Sequence, residues 1–259
     1  MSNVFENIIE KLRLQHEALK ASGFSPTEPL KYECQECEDR EIVLVEQDDG
    51  SVSARNCQCK ARKIQKRMFK ASGITEEQAK LTLNDYNTSS ETIKMFQMVK
   101  RYIERQAWKE NNGFALLGSV GAGKTMLAKI IASEVMKTKL TVIFVPTTSL
   151  MAELRASQFS EDRSDFEQRI DKLINADMVI FDDVGKEKPT EWVQNQYFRI
   201  IDGRYNAKKT TSFTSNYEFG ELANRFSEFG DAIISRIVAM TRDYVVNVKG
   251  KDYRLIRRD

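Results

Sequence analysis

The sequence predicts an α/β protein: a parallel sheet flanked by helices, preceded by a small α+β module built around cysteines. Three observations predict it. Continuous apolar strand-length runs alternate with amphipathic helical stretches from residue 91 onward, as in a sheet covered on both faces. The octapeptide GSVGAGKT, Gly118 to Thr125, sits between one such strand and the next helix. All four cysteines fall within residues 34–59.

The 259 residues, 41% of them hydrophobic, suffice for a large domain with a small companion. Forty basic against 38 acidic residues leave a net charge of +2, so total charge does not mark a nucleic-acid binder. The first residues, MSNVFENIIEKLRLQHEALKAS, mix acids with helical spacing and do not form a signal peptide. No run approaches the roughly 18 apolar residues a membrane span needs. The expectation is a cytoplasmic protein with no membrane partner and reduced thiols.

In chain order, Val4, Ile8, Leu12 and Leu19 space a helix that ends at Gly23. After the turn SPTEP come Cys34-x2-Cys37 and Cys57-x-Cys59, separated by EIVLVEQDDGSVSARN, which reads as strand, Asp-Gly turn and strand. Such a hairpin brings the two pairs together, and four thiolates in a reducing compartment suit tetrahedral zinc. A disulfide pair and unrelated buried cysteines are the alternatives. His16 reads as a surface residue of the first helix. The segment CKARKIQKRMFKAS carries Lys60, Arg62, Lys63, Lys66, Arg67 and Lys70. It is either a solvated helix face or a contact for phosphate or an acidic partner.

Residues 73–90 read as a linker between a module of residues 1–72 and a domain of residues 91–259. That domain starts with a helix over 91–110, then strand FALLGS and helix KTMLAKIIASEVMK. Strand TVIFVP, two helices over about 148–174, strand MVIFDDV and helix TEWVQNQYFRIIDGRY follow. Strand TTSFTSN, a helical pair over about 218–240 and strand DYVVNVK complete it.

GSVGAGKT fits G-x4-G-K-[ST] in the strand-to-helix context the motif requires. Gly118, Ser119, Val120, Gly121, Ala122 and Gly123 would curl so that backbone N–H groups and the helix N-terminus, with Met126 beside it, face nucleotide phosphates. Lys124 would reach the β- and γ-phosphates of ATP and Thr125 would take Mg2+. Asp182 and Asp183, delivered by MVIFDDV to the same sheet edge, would hold the Mg2+ shell and polarise the attacking water. Asn216 is either an orienting group near the γ-phosphate or a turn residue. Arg236, in AIISRI, is either an arginine finger for a neighbouring subunit or a surface ion pair.

GSVGAGKTMLAKIIASE, IFDDVGKEK, TSNY and ISRI, in this order, resemble the DnaC/DnaI-type AAA+ helicase loaders and their transposon relatives, the IstB-type ATPases. The cysteine module, basic helix and LTLNDYNT resemble the front part of DnaI-like loaders. The resemblance spans roughly residues 30–259. It implies an AAA+ ATPase that binds a hexameric DnaB/DnaC-type replicative helicase and delivers it to single-stranded DNA, self-associating through ATP bridged between subunits. The cofactors implied are ATP, Mg2+ and structural Zn2+, with the first helix and zinc module docking the helicase. It also implies that Arg254 senses the nucleotide and that Arg155 and Phe159, in TSLMAELRASQF, contact DNA. Two departures matter. Asp183 stands where many AAA+ proteins have Glu, and only 23 residues follow Arg236, too few for a full helical lid. Both imply weak turnover in isolation. The alternatives are a transposition accessory ATPase and a non-hydrolysing, nucleotide-gated adaptor.

Overall fold

A computed structural model of the chain describes residues 32–47, 51–60, 63, 71–159, 164–249 and 252. The expected first helix with His16, the Asp-Gly turn, most of the basic segment and Arg254 lie outside the described residues. The chain divides into two compact units, residues 1–64 and 65–259.

In the first unit, β1 (Ile42–Glu46) and β2 (Val52–Asn56) pair antiparallel, with Leu44 opposite Ala54 and Ile42 opposite Asn56. Alternation sends Val43 toward the cysteines, whereas Ile42, Leu44 and Val52 are exposed. The buried hydrophobic residues among those described in this unit are Cys37, Cys57 and Cys59.

The second unit is a five-stranded parallel sheet in the order β4–β5–β6–β3–β7. The helix α1 (Ile93–Glu104) leads to β3 (Ala115–Gly118), α2 (Lys124–Lys137) and β4 (Val142–Pro146). Then come α3 (Thr147–Gln158), α4 (Ser164–Asn175), β5 (Met178–Val184) and α5 (Glu191–Asn206). The unit continues with β6 (Thr210–Ser215), α6 (Phe219–Arg225), α7 (Gly230–Thr241) and β7 (Val245–Val248). Burial on both faces explains the continuous apolar strands. From β5, Met178 and Ile180 enter one cluster with α1 and α2, while Val179 and Phe181 enter another with α3 to α7.

Two expectations change. The helix expected over 91–110 stops after Glu104, because Gln106 turns left-handed (φ 49°) and starts a separate short turn that buries Trp108. Residues 73–90 are not a free linker. Ile74 and Tyr86 are buried in the α1–α2 cluster, Leu81 and Leu83 pack against it, and Ser133 donates to the Ala79 carbonyl at 2.7 Å. The stretch reads as linker because its apolar residues follow no single period; it folds as short turns laid on α2.

Arg204 near the end of α5 is fully buried. It donates to the carbonyls of Leu173, Ile174 and Ala176, to that of Thr210 at 2.6 Å, and to the Thr211 hydroxyl. The guanidinium thereby satisfies the open carbonyls at the end of α4.

Candidate functional site

Because all five strands are parallel, β3, β5 and β6 release their functional residues at one sheet edge. Two glycines of the loop after β3 show why no side chain fits there. Gly118 has φ +108°, and a side chain there would strike the Val248 carbonyl of β7. Gly123 has φ +82°, and an added Cβ would lie 2.5 Å from the Tyr86 ring. Tyr86 itself donates to the Ala122 carbonyl at 2.7 Å, so the supposed linker braces the loop. α2 then begins at Lys124 with its open N–H groups at the loop, the arrangement that receives phosphate oxygens.

Lys124 is buried, and its ammonium donates to the carbonyls of Gly118 (2.7 Å) and Ser119 (2.8 Å) and to Asn216 Oδ1 (2.8 Å). Three neutral oxygens hold the cation at the loop mouth, where a phosphate would replace them as its partner. The Thr125 hydroxyl donates to Asp182 at 2.9 Å, and Thr214 donates to the same carboxylate at 2.6 Å. Burial, and secondarily the neighbouring Asp183, raise the Asp182 pKa against these two hydrogen bonds. A hydroxyl and a buried carboxylate side by side are the donor set Mg2+ takes from a protein when phosphates supply the rest.

Consecutive strand residues point to opposite faces, yet Asp182 and Asp183 both belong to this edge. The register explains how. Phe181 pairs with Phe213 but Val184 pairs with Ser215, so both acids face Thr214 alone in a bulge. Asp183 takes a left-handed φ of 60°, its N–H bonds Thr214 Oγ1 at 2.9 Å, and its side chain lines the cavity with Lys186 3.4 Å away.

The cavity encloses ≈ 430 Å³, the size of a small-molecule site. Val120, Gly121, Gly123, Lys124, Thr125, Met126, Asp183 and Asn216 line it, so the structure brings these sequence candidates together. Gln78 and Leu81, from the stretch read as linker, and Lys129 also line it. Sequence reasoning missed them; the irregularly spaced Ile74, Leu81, Leu83 and Tyr86 were the available signal.

The model of the IstB-like ATP binding proteins matches residues 29–259. The chain belongs to that family. Phage-like element PBSX protein XkdC of Bacillus subtilis is 29% identical over 265 residues, covering 98% of this chain and 96% of that protein. The replicative helicase loader DnaC of Buchnera aphidicola (subspecies Baizongia pistaciae) is 24% identical over 186 residues, 71% of this chain and 75% of DnaC. The crystal structure of DnaI superposes with a TM-score of 0.58 at 24% identity, covering 72% of this chain and 98% of DnaI. The sheet and its helices are thus the P-loop AAA+ fold.

The remaining candidates of this IstB-family chain lie elsewhere. Arg236 does not line the cavity; it pairs with Asp202 at 2.7 Å and lies over the Phe198 and Tyr205 rings. Arg155 is exposed on α3 above the Trp192 ring, 5.6 Å from its centroid, and Phe159 just past α3 is 78% exposed. In the first unit the four sulfurs all lie within 4.8 Å of one another. Tetrahedral zinc with bonds of ~2.3 Å separates its sulfurs by roughly 3.8 Å, so the cluster fits one ion. Amide N–H groups, that of Cys37 first, pull the Cys34 pKa down to about 7, while the bond shared with Cys37 and burial push Cys59 up. Metal would displace the held protons. No helix among the described residues is long and apolar enough to cross a membrane.

Proposed function

We propose that this chain is an ATP-hydrolysing loader that binds a hexameric replicative helicase and delivers it to single-stranded DNA. The observation that carries the reading is the conjunction of two separate units. One lines a nucleotide-sized cavity with Lys124, Thr125, Asp183 and Asn216 and sets Asp182 against Thr125; the other is a thiol-clamped hairpin with Ile42, Leu44 and Val52 exposed. The relatives named replicative helicase loaders support it.

Lys124 and the loop N–H groups bind the β- and γ-phosphates of substrate ATP, and Thr125 and Asp182 would hold Mg2+. When bound there, the ion would neutralise charge developing on the phosphates. Asp183 orients a water in line with the γ-phosphorus, and Asn216 fixes its other side. The water oxygen bonds to phosphorus as the bond to the β-phosphate oxygen breaks. ADP leaves, and the water proton passes to the carboxylate and on to the phosphate. The shorter Asp183 makes this slow in the isolated chain. Arg236 exchanges Asp202 for the γ-phosphate of a neighbouring copy, so ATP bridges subunits. Arg155 and Phe159 then supply charge and a stacking face to single-stranded DNA. The four cysteines hold structural Zn2+, and the hairpin face docks the helicase.

The test uses the host's hexameric helicase and the full chain. Leu44→Asp, on an exposed side, should leave stability within about 0.5 kcal/mol and weaken helicase binding at least ~10-fold. Unchanged affinity removes the hairpin from the docking surface. A second reading, an accessory ATPase of transposition, is favoured by membership of the IstB-like family. It predicts ATP-dependent binding to duplex DNA and a transposase, with no affinity for the helicase.

A further inference from the structure

Asp183 has a short side chain, so its carboxylate goes where its backbone aims it, and that backbone is strained. A non-glycine residue at φ 60° inside a bulge persists only where its surroundings over-determine it. Thr214 holds the Asp183 N–H, Ser215 donates to the Val184 carbonyl at 2.6 Å, and Arg225 donates to the Gly185 carbonyl at 2.8 Å. One anchor stands out chemically. Glu187, two residues past Gly185, is buried at 8% exposure. One of its carboxylate oxygens accepts the Gly185 N–H at 3.1 Å, and the other accepts the hydroxyl of fully buried Thr147 at 2.8 Å. Thr147, first residue of α3, also lies 3.1 Å from the Asp183 carbonyl. Glu187 therefore straps the turn after the acid to the neighbouring strand end. Burying a carboxylate is costly, and the phosphate cavity is not lined by it. Packing alone would be served better by an apolar side chain.

We infer that Glu187 and Thr147 form a clamp that positions Asp183 for water attack on the γ-phosphate, Glu187 acting as a positioning residue through hydrogen bonds rather than as a base. This rests on Asp183 holding the water, as in the reading above. Glu187 and the Asp183 carbonyl share the single hydroxyl proton of Thr147, which goes to the nearer Glu187 oxygen. Glutamine at position 187 can keep both bonds: its oxygen accepts Gly185 N–H while its amide donates to Thr147, whose proton turns to the Asp183 carbonyl.

Full-length wild type, E187A, E187Q and T147V are compared for ATP turnover, for binding of a fluorescent ATP analogue, and for amide exchange over residues 182–188. E187A and T147V should lose about 10-fold in kcat, with KM and analogue affinity within about twofold, since a small misplacement of a water-holding group falls on kcat. E187Q should recover to within about threefold of wild type. Exchange at Gly185 should rise in E187A and return in E187Q. Glutamine as inactive as alanine would overturn the clamp in favour of a charge role. A kcat loss matched by equal loss of analogue-binding capacity would reduce it to folding, which near-isosteric T147V guards against. If wild type binds the analogue but turns over no ATP, the hydrolysis reading fails on its own. The clamp then stands or falls on Gly185 exchange, and unchanged protection in E187A overturns it.

Discussion

In the unit of residues 65–259, β5 alone sends Met178 and Ile180 into one apolar cluster and Val179 and Phe181 into a second. The β1–β2 hairpin, by contrast, leaves Ile42, Leu44 and Val52 in solvent. The larger unit has enough apolar area to hold its sheet without help, and can place charged groups where chemistry needs them. It buries Lys124, Asp182, Glu187 and Arg204, each answered by oriented donors or acceptors. The hairpin unit buries thiols and little else among its described residues. A fold that small requires a staple, and freed from building a core, its apolar side chains are available to a partner. The difference teaches that a buried polar site and an exposed apolar face come from different sources of stability in one chain.

The largest test of that contrast is metal removal. Zinc analysis of purified protein should find one equivalent. Chelation or Cys37→Ser should then unfold the hairpin, since structural zinc supplies on the order of 10–16 kcal/mol to small zinc folds. Amide protection over 42–56 should vanish while the melting of residues 65–259 shifts by less than about 2 °C. Surviving protection would mean that the two units are held alike. Next in size, Arg204→Met keeps bulk but strands the carbonyls at the end of α4, and urea unfolding should show a loss of about 3–5 kcal/mol. A loss below about 1 kcal/mol would deny that oriented polar groups matter inside the larger core.

The smallest effect concerns Glu167, whose bond to Arg199 joins α4 to α5 and lowers its pKa. A carboxylate lowered in the folded state stabilises above its unfolded pKa, and that contribution fades as pH falls through the lower folded value. Both partners are about half exposed, so Glu167→Gln should change stability by less than about 0.5 kcal/mol at pH 7 and by progressively less as pH falls through the acid range. A larger effect would move surface charge into the account of what holds this unit.

Much of this was legible in the sequence where spacing has one physical meaning. The glycines of GSVGAGKT announce left-handed turns, and the apolar strands announce a sheet buried on both sides. Residues 73–90 were illegible because they pack through short turns without periodicity. The bulge at Asp182–Asp183 was hidden because register depends on the partner strand, not on MVIFDDV itself. Glu187 and Arg204 look like surface charges by composition. Only their partners, Thr147 and Gly185 for one and the α4 carbonyls for the other, reveal them as interior fittings.

Helicase delivery tests the central claim most directly. Host helicase retained on circular single-stranded DNA after gel filtration is measured with the full chain and ATP, with ADP, without nucleotide, and with Lys124→Ala in ATP. At least a ~10-fold excess of retained helicase is expected with wild type and ATP over every other condition, since the proposed function makes Lys124 and the loop N–H groups the phosphate contacts. Equal retention in all four conditions would contradict it.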